Sequence, residues 1–105
     1  MNDSEFQQLA DQLYQKIEDC IEESGADVDY EQNGGLLTLE FENSSKLIIN
    51  RQQPLHQIWL ATLESGHHYN YINESWIDDR SGDDFLVFLS AAIFKQSQEK
   101  VNFRL

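Results

Sequence analysis

The sequence predicts an α+β fold: a two-layer sandwich with an N-terminal and a C-terminal helix packed on one face of a five- to six-stranded antiparallel sheet. Three observations carry that expectation. Apolar residues recur every three or four positions from Phe6 to Ile21, and again from Phe85 to Ile93. Between these stretches, short segments alternate apolar and polar residues and are divided by turn-forming Asn, Gly, Ser and Pro. At 105 residues, 40% of them hydrophobic, the chain is expected to be one domain, 1–105, around one modest core.

The first helix is expected from Asn2 to about Glu23. Its buried stripe is Phe6, Leu9, Ala10, Leu13, Tyr14, Ile17, Cys20 and Ile21. Asn2 or Ser4 caps its start, the Asn2/Glu5 spacing resembles a capping box, and Gly25 ends it. Val28 to Gln32 then alternates as a strand, with Val28 and Tyr30 on one face and Asp27, Asp29 and Glu31 on the other. Asn33-Gly34 predicts a two-residue hairpin turn into Leu37–Phe41. Further strands are expected at Lys46–Arg51 and Gln57–Thr62, with shorter ones at His67–Ile72 and Ser75–Asp78. Pro54 falls in a connection, where it removes no ladder donor. Ser81-Gly82-Asp83-Asp84 reads as the start of the second helix with Ser81 as its cap, and the tail Val101 to Leu105 is apolar enough to pack.

Charge is distributed unevenly. Residues 1–31 hold ten of the nineteen acids and one base, Lys16. On a helical wheel Asp11, Glu18 and Glu22 fall opposite the apolar stripe, and Asp19 and Glu23 form the neighbouring column. Like charges at i,i+4 cost about 0.2–0.5 kcal/mol per pair. Acids in a helix's last turn oppose its dipole by about 0.3–1 kcal/mol each. A helix that only needed solubility would end in Lys or Arg, so this placement points to a cationic partner. Carboxylates without thiolates suit hard cations. The stretch Asp27-x-Asp29-x-Glu31 is not an EF-hand, because its sixth position is Gln32 and its twelfth Thr38.

A net charge of −12 argues against sequence-independent nucleic-acid binding and against anionic membrane surfaces. No apolar run approaches membrane-spanning length, and the first residues, MNDSEFQQ, lack a secretory signal pattern. The single cysteine, Cys20, fits a reducing cytoplasm and reads as core filler. No Ser-His-Asp, Cys-His, phosphate-loop or dinucleotide motif is present, so a conventional enzyme active site is not expected. His56, His67 and His68 are expected to be ordinary surface residues, the last two pointing to opposite sheet faces. In Gln57–Thr62, Ile58 and Leu60 should face the helices, leaving Trp59 on the open face as a protein-binding anchor. Trp76 is expected to be structural.

The run Asn50-Arg51-Gln52-Gln53-Pro54-Leu55-His56-Gln57-Ile58-Trp59-Leu60-Ala61 resembles the signature of the frataxin family. Asn33-Gly34-Gly35-Leu36-Leu37-Thr38, the opening MNDSEFQQLADQL and Asp79-Arg80-Ser81-Gly82 resemble its bacterial branch, and the likeness spans essentially the whole chain. The resemblance implies weak, surface-bound iron (Fe2+ or Fe3+, with other hard cations possible) on a ridge of Asp11, Glu18, Asp19, Glu22, Glu23, Asp27, Asp29 and Glu31. It also implies a regulatory or iron-donating role in iron–sulfur cluster assembly. The implied partners are the cysteine desulfurase, met by the ridge, and an iron–sulfur scaffold protein. Glu18, Asp19, Glu22 and Glu23, together with the sheet-face residues Asn50, Gln52, Gln57 and Trp59, would make the partner contacts. A monomer is expected without metal. Ferroxidase or iron-storage activity, or a purely acidic interaction module, are the alternatives.

Overall fold

The computed structural model describes residues 1–103. Helix α1 runs Asp3–Ser24 and is followed by strands β1 (Val28–Asn33), β2 (Leu36–Phe41) and β3 (Lys46–Gln52). A 3₁₀ turn at Gln53–Leu55 contains Pro54, as the connection required. Strands β4 (Gln57–Ala61), β5 (Gly66–Ile72) and β6 (Ser75–Asp78) precede helix α2 (Phe85–Ser97). The six strands lie in sequence order as one antiparallel meander.

Asn2, not Ser4, caps α1. Its side chain accepts the Glu5 N–H at 2.8 Å, and the Glu5 carboxylate accepts the Asn2 N–H at 3.3 Å, a reciprocal capping box. Gly25 ends the helix in the left-handed region at φ 68°. The core is the interface between the helices and one sheet face. Phe6, Ile17, Leu37, Leu39, Ile49, Ile58 and Leu89 are all fully buried there, at about 1.5–3 kcal/mol of transfer free energy per large side chain. Ile58 and Leu60 point to the helices and Trp59 to the open face, so the alternation set the β4 register as expected. Trp76 is buried, with its ring 6.1 Å from Phe6.

Two turns differ from expectation. Asn33 pairs with Leu36 across the first hairpin, so the turn residues are Gly34 and Gly35, at φ 62° and 115°. Two consecutive glycines accept positive φ at less cost than Asn-Gly, which moves the turn by one residue. Ser81 does not cap α2. Asp84 does, its carboxylate accepting the N–H groups of Leu86 and Val87 at 2.9 and 3.2 Å. The backbone around Ser81 instead forms a turn folded over Asp78. Of the apolar tail, Val101 is buried and its carbonyl accepts the Ser90 hydroxyl at 2.8 Å. Arg104 and Leu105 lie outside the described residues.

Candidate functional site

Seven of the eight ridge acids are exposed, and Glu18 is half-buried. The last turn of α1 contains no base, so the C-terminal carbonyls meet only like charge. The two carboxylate columns have different surroundings. Asp11, Glu18 and Glu22 do not stand opposite the apolar stripe. They flank it on the side toward the sheet, where Arg51 of β3 reaches Asp11 and Gln32 and Tyr30 of β1 reach Glu18 and Glu22. Asp11 is ion-paired with Arg51 Nη2 at 2.7 Å. Arg51 also donates to Gln7 at 2.6 Å and lies 4.5 Å from the centre of the Tyr14 ring. Glu18 accepts from Gln32 Nε2 at 2.5 Å, and Glu22 accepts the Tyr30 hydroxyl at 2.7 Å. Asp19 and Glu23 form the outer column, where among the described residues Asp19 meets only the Gln15 amide, at 2.8 Å.

Asp27 stands just beyond the helix end, where its N–H donates to Glu99 at 3.1 Å. Asp29 and Glu31 alternate with Tyr30 and therefore project from the sheet face away from α1. Among the described residues no group of three or more His, Cys, Asp or Glu side chains is arranged to hold a metal ion. The acids thus form a charged surface rather than one ligand shell. An all-oxygen donor set of this kind fits a hard ion that keeps much of its water.

Tyr30 reports on the ridge. The Glu22 carboxylate that accepts its hydroxyl, then partial burial and the charges of Glu22, Glu18 and Asp19, push its pKa from 10.0 to about 12. The folded value is raised, so its contribution to stability is intact below about pH 10 and is lost as pH climbs through 12. In Glu22→Gln the Tyr30 phenolate is expected to form at lower pH, nearer 10, by NMR of the labelled ring. An unmoved titration would mean that this hydrogen bond does not persist in solution.

The open sheet face carries a second constellation. Asn50 pairs with Trp59 across β3 and β4, and Gln52 with Gln57. Trp59 Nε1 donates to Gln57 at 2.8 Å, and Gln57 Nε2 donates to Asn70 at 3.1 Å. The Trp59 indole stacks on His68 at 4.1 Å, 13° from parallel. Trp59 is therefore half-exposed and held in one orientation, as a pre-organised contact residue should be. The linear motif contains neither His68 nor Asn70. Cross-strand pairing, Trp59 with His68 and Gln57 with Asn70, adds them.

The histidines are more engaged than ordinary surface residues. His56, at φ 50°, packs its ring 5.4 Å from Phe6 and meets Asp3 at 2.7 Å, a contact that lowers the Asp3 pKa. His67 turns toward α2, 4.4 Å from Phe88, and lies between Ser65 and Asp78. His68 occupies the opposite face, as alternation required. Cys20 is half-buried against the core.

The profile of the frataxin-like domain family matches residues 1–99. The iron-sulfur cluster assembly protein CyaY of Psychromonas ingrahamii is 82% identical over 103 residues, covering 98% of each chain. The solved frataxin structure from Psychromonas ingrahamii, 81% identical, superposes with a TM-score of 0.96 over the whole of both chains. Trimeric frataxin from the yeast Saccharomyces cerevisiae, complexed with ferrous iron, is 28% identical and superposes at 0.73 over 87% of each chain. The helix–meander–helix order, the Asn50–Ala61 signature and these likenesses agree: the chain belongs to the frataxin family, in its bacterial CyaY branch.

Proposed function

We propose that this protein acts in iron–sulfur cluster assembly, binding iron weakly on its acidic ridge and docking that ridge on the cysteine desulfurase as an iron-dependent regulator or iron donor. One observation carries the reading: exposed carboxylates crowd the end of α1 where the helix dipole opposes them. A fold gains nothing from that placement, whereas a cationic partner does. Iron is cargo or signal here, held on one or two carboxylates at a time. Glu18, Asp19, Glu22 and Glu23 form the centre of the ridge, with Asp27, Asp29 and Glu31 extending it. Asp11 contributes least, since Arg51 already compensates it. The open face around Asn50, Gln52, Gln57 and Trp59 suits a second partner, the scaffold protein, whose contact would add His68 and Asn70.

The test is charge reversal. With Lys at positions 18, 19, 22 and 23, affinity for a bacterial cysteine desulfurase should fall by roughly 100-fold or more, with circular dichroism unchanged. Undiminished affinity would remove the docking role. Paramagnetic broadening on adding Fe2+ anaerobically should fall on residues 18–31 of the wild type and vanish in the variant. Broadening centred on His56, His67 or His68 would instead relocate the metal site.

A further inference from the structure

The β4–β5 turn and α2 border a half-open cavity of about 430 Å3, lined in part by Leu63, Ser65, His67, Phe88, Ala92 and Lys95. Ser65 closes the β4–β5 turn and His67 is the second residue of β5, and there their side chains meet. The Ser65 hydroxyl is 2.7 Å from His67 Nε2, and His67 Nδ1 is 3.1 Å from Asp78 Oδ2. Asp78 is 5% exposed, and its other oxygen accepts the N–H groups of Arg80 and Ser81 at 2.8 and 3.0 Å. A carboxylate so held is an acceptor only, which puts the imidazole proton on Nδ1. The Nε2 lone pair then faces the Ser65 hydroxyl. Phe88 packs against the imidazole ring. The turn fixes Ser65: its N–H donates to Thr62 Oγ1 at 3.0 Å, and its carbonyl accepts the Thr62 N–H at 2.8 Å.

We propose that Ser65 is an activated nucleophile, with His67 as its general base and Asp78 as the group that orients the base, and that the cavity receives the small apolar acyl group of an ester. Nucleophile, base and orienting carboxylate are joined by the two hydrogen bonds that such chemistry requires, in the required tautomer. Ser65 Oγ attacks the carbonyl carbon while its proton passes to His67 Nε2. Collapse of the tetrahedral species breaks the ester C–O bond, and the departing alkoxide takes the proton from His67. The products are acyl-Ser65 and an alcohol. Water, deprotonated by the same imidazole, later releases the carboxylic acid. The cation on the cavity wall is Lys95, already paired with Glu64 at 3.0 Å. Its support for the developing oxyanion is partial, so slow acylation is expected rather than rapid turnover. The competing possibility is that the trio merely ties the β4–β5 turn to the end of β6. Replacing His67 would then alter stability and leave Ser65 chemistry untouched.

The full chain treated with p-nitrophenyl butyrate, and separately with a fluorophosphonate, should acquire one adduct, mapped by peptide mass to Ser65. Ser65→Ala should abolish the adduct, and His67→Gln should slow it about 100-fold. Ser44→Ala, in the β2–β3 turn, should label like the wild type. An adduct spread over other serines, lysines or tyrosines overturns the proposal. So does an equal labelling rate for native and denaturant-unfolded wild type, a measurement independent of whether any variant folds. Equal labelling of wild type and His67→Gln overturns it as well.

Discussion

Replacing Asp78 with alanine is expected to destabilise the fold by about 3 kcal/mol, the cost of breaking a buried, charge-assisted cluster. For a domain of this size that lowers the melting temperature by roughly 15 °C. Three donors, from Arg80, Ser81 and His67, converge on this one carboxylate. Burial alone would raise its pKa, but the Ser81 and Arg80 amides and His67 outweigh that and hold it below 3.8. The sign follows from linkage. A depressed folded pKa means stabilisation that is complete above about pH 4 and lost as pH falls through the folded value. Asp78→Asn keeps an oxygen for the two backbone amides and should cost less than alanine. Its deficit against the wild type should shrink as the pH is taken below 4. Denaturant melts of the three proteins at pH 7 and pH 3 decide this, and a deficit independent of pH would mean that the charge is idle.

The second large effect runs the other way. Asp19→Lys combined with Glu23→Lys should stabilise the protein by about 1 kcal/mol at low ionic strength, through relief of i,i+4 repulsion and of the clash with the helix dipole. These are the outer-column acids, and α1 ends without a base to offset them. The gain corresponds to a rise of roughly 5 °C and should largely disappear in high salt. Glu18 and Glu22 should return less, since each already accepts a hydrogen bond from β1. A lower melting temperature for the double variant would show that Asp19 and Glu23 are structural. A higher one, coupled to weaker iron and partner binding, is the signature of residues kept for function at the expense of stability.

The fold was legible wherever periodicity is strong. Helix α1 follows from its apolar stripe and capping box, and β4 from an alternation that put Trp59 on the open side with Gln57 and Ala61. Capping and turn residues were less legible because the candidates compete. Ser81 and Asp84 are both good caps, and only Asp78, by drawing the Arg80 and Ser81 amides into a turn, passes the role to Asp84. The ridge was legible as charge and as two columns, but not in what each column meets. A helical wheel contains no β1, so it cannot show Gln32 and Tyr30 reaching Glu18 and Glu22. The link from Ser65 through His67 to Asp78 left the weakest trace, since one member lies eleven residues from its partner and only a β5–β6 hairpin register joins them. Ser-x-His at the entry to a strand was the available hint, and it means little until the cavity beside it is known.

The meander has a kinetic consequence. Each strand pairs with the one just before it, so the sheet can grow as successive hairpins, each closing a short loop at low entropic cost. The expensive closures fall to the two helices: α1, whose contacts with Arg51, His56 and Trp76 span forty or more residues of chain, and α2, whose Gln96 bonds Asn43 and Ser45 across fifty or more. The helix that carries the functional charge is thereby one of the two elements whose docking on the sheet waits for the rest to assemble. Repulsion along that helix should be felt in how fast the protein folds as well as in how stable it is.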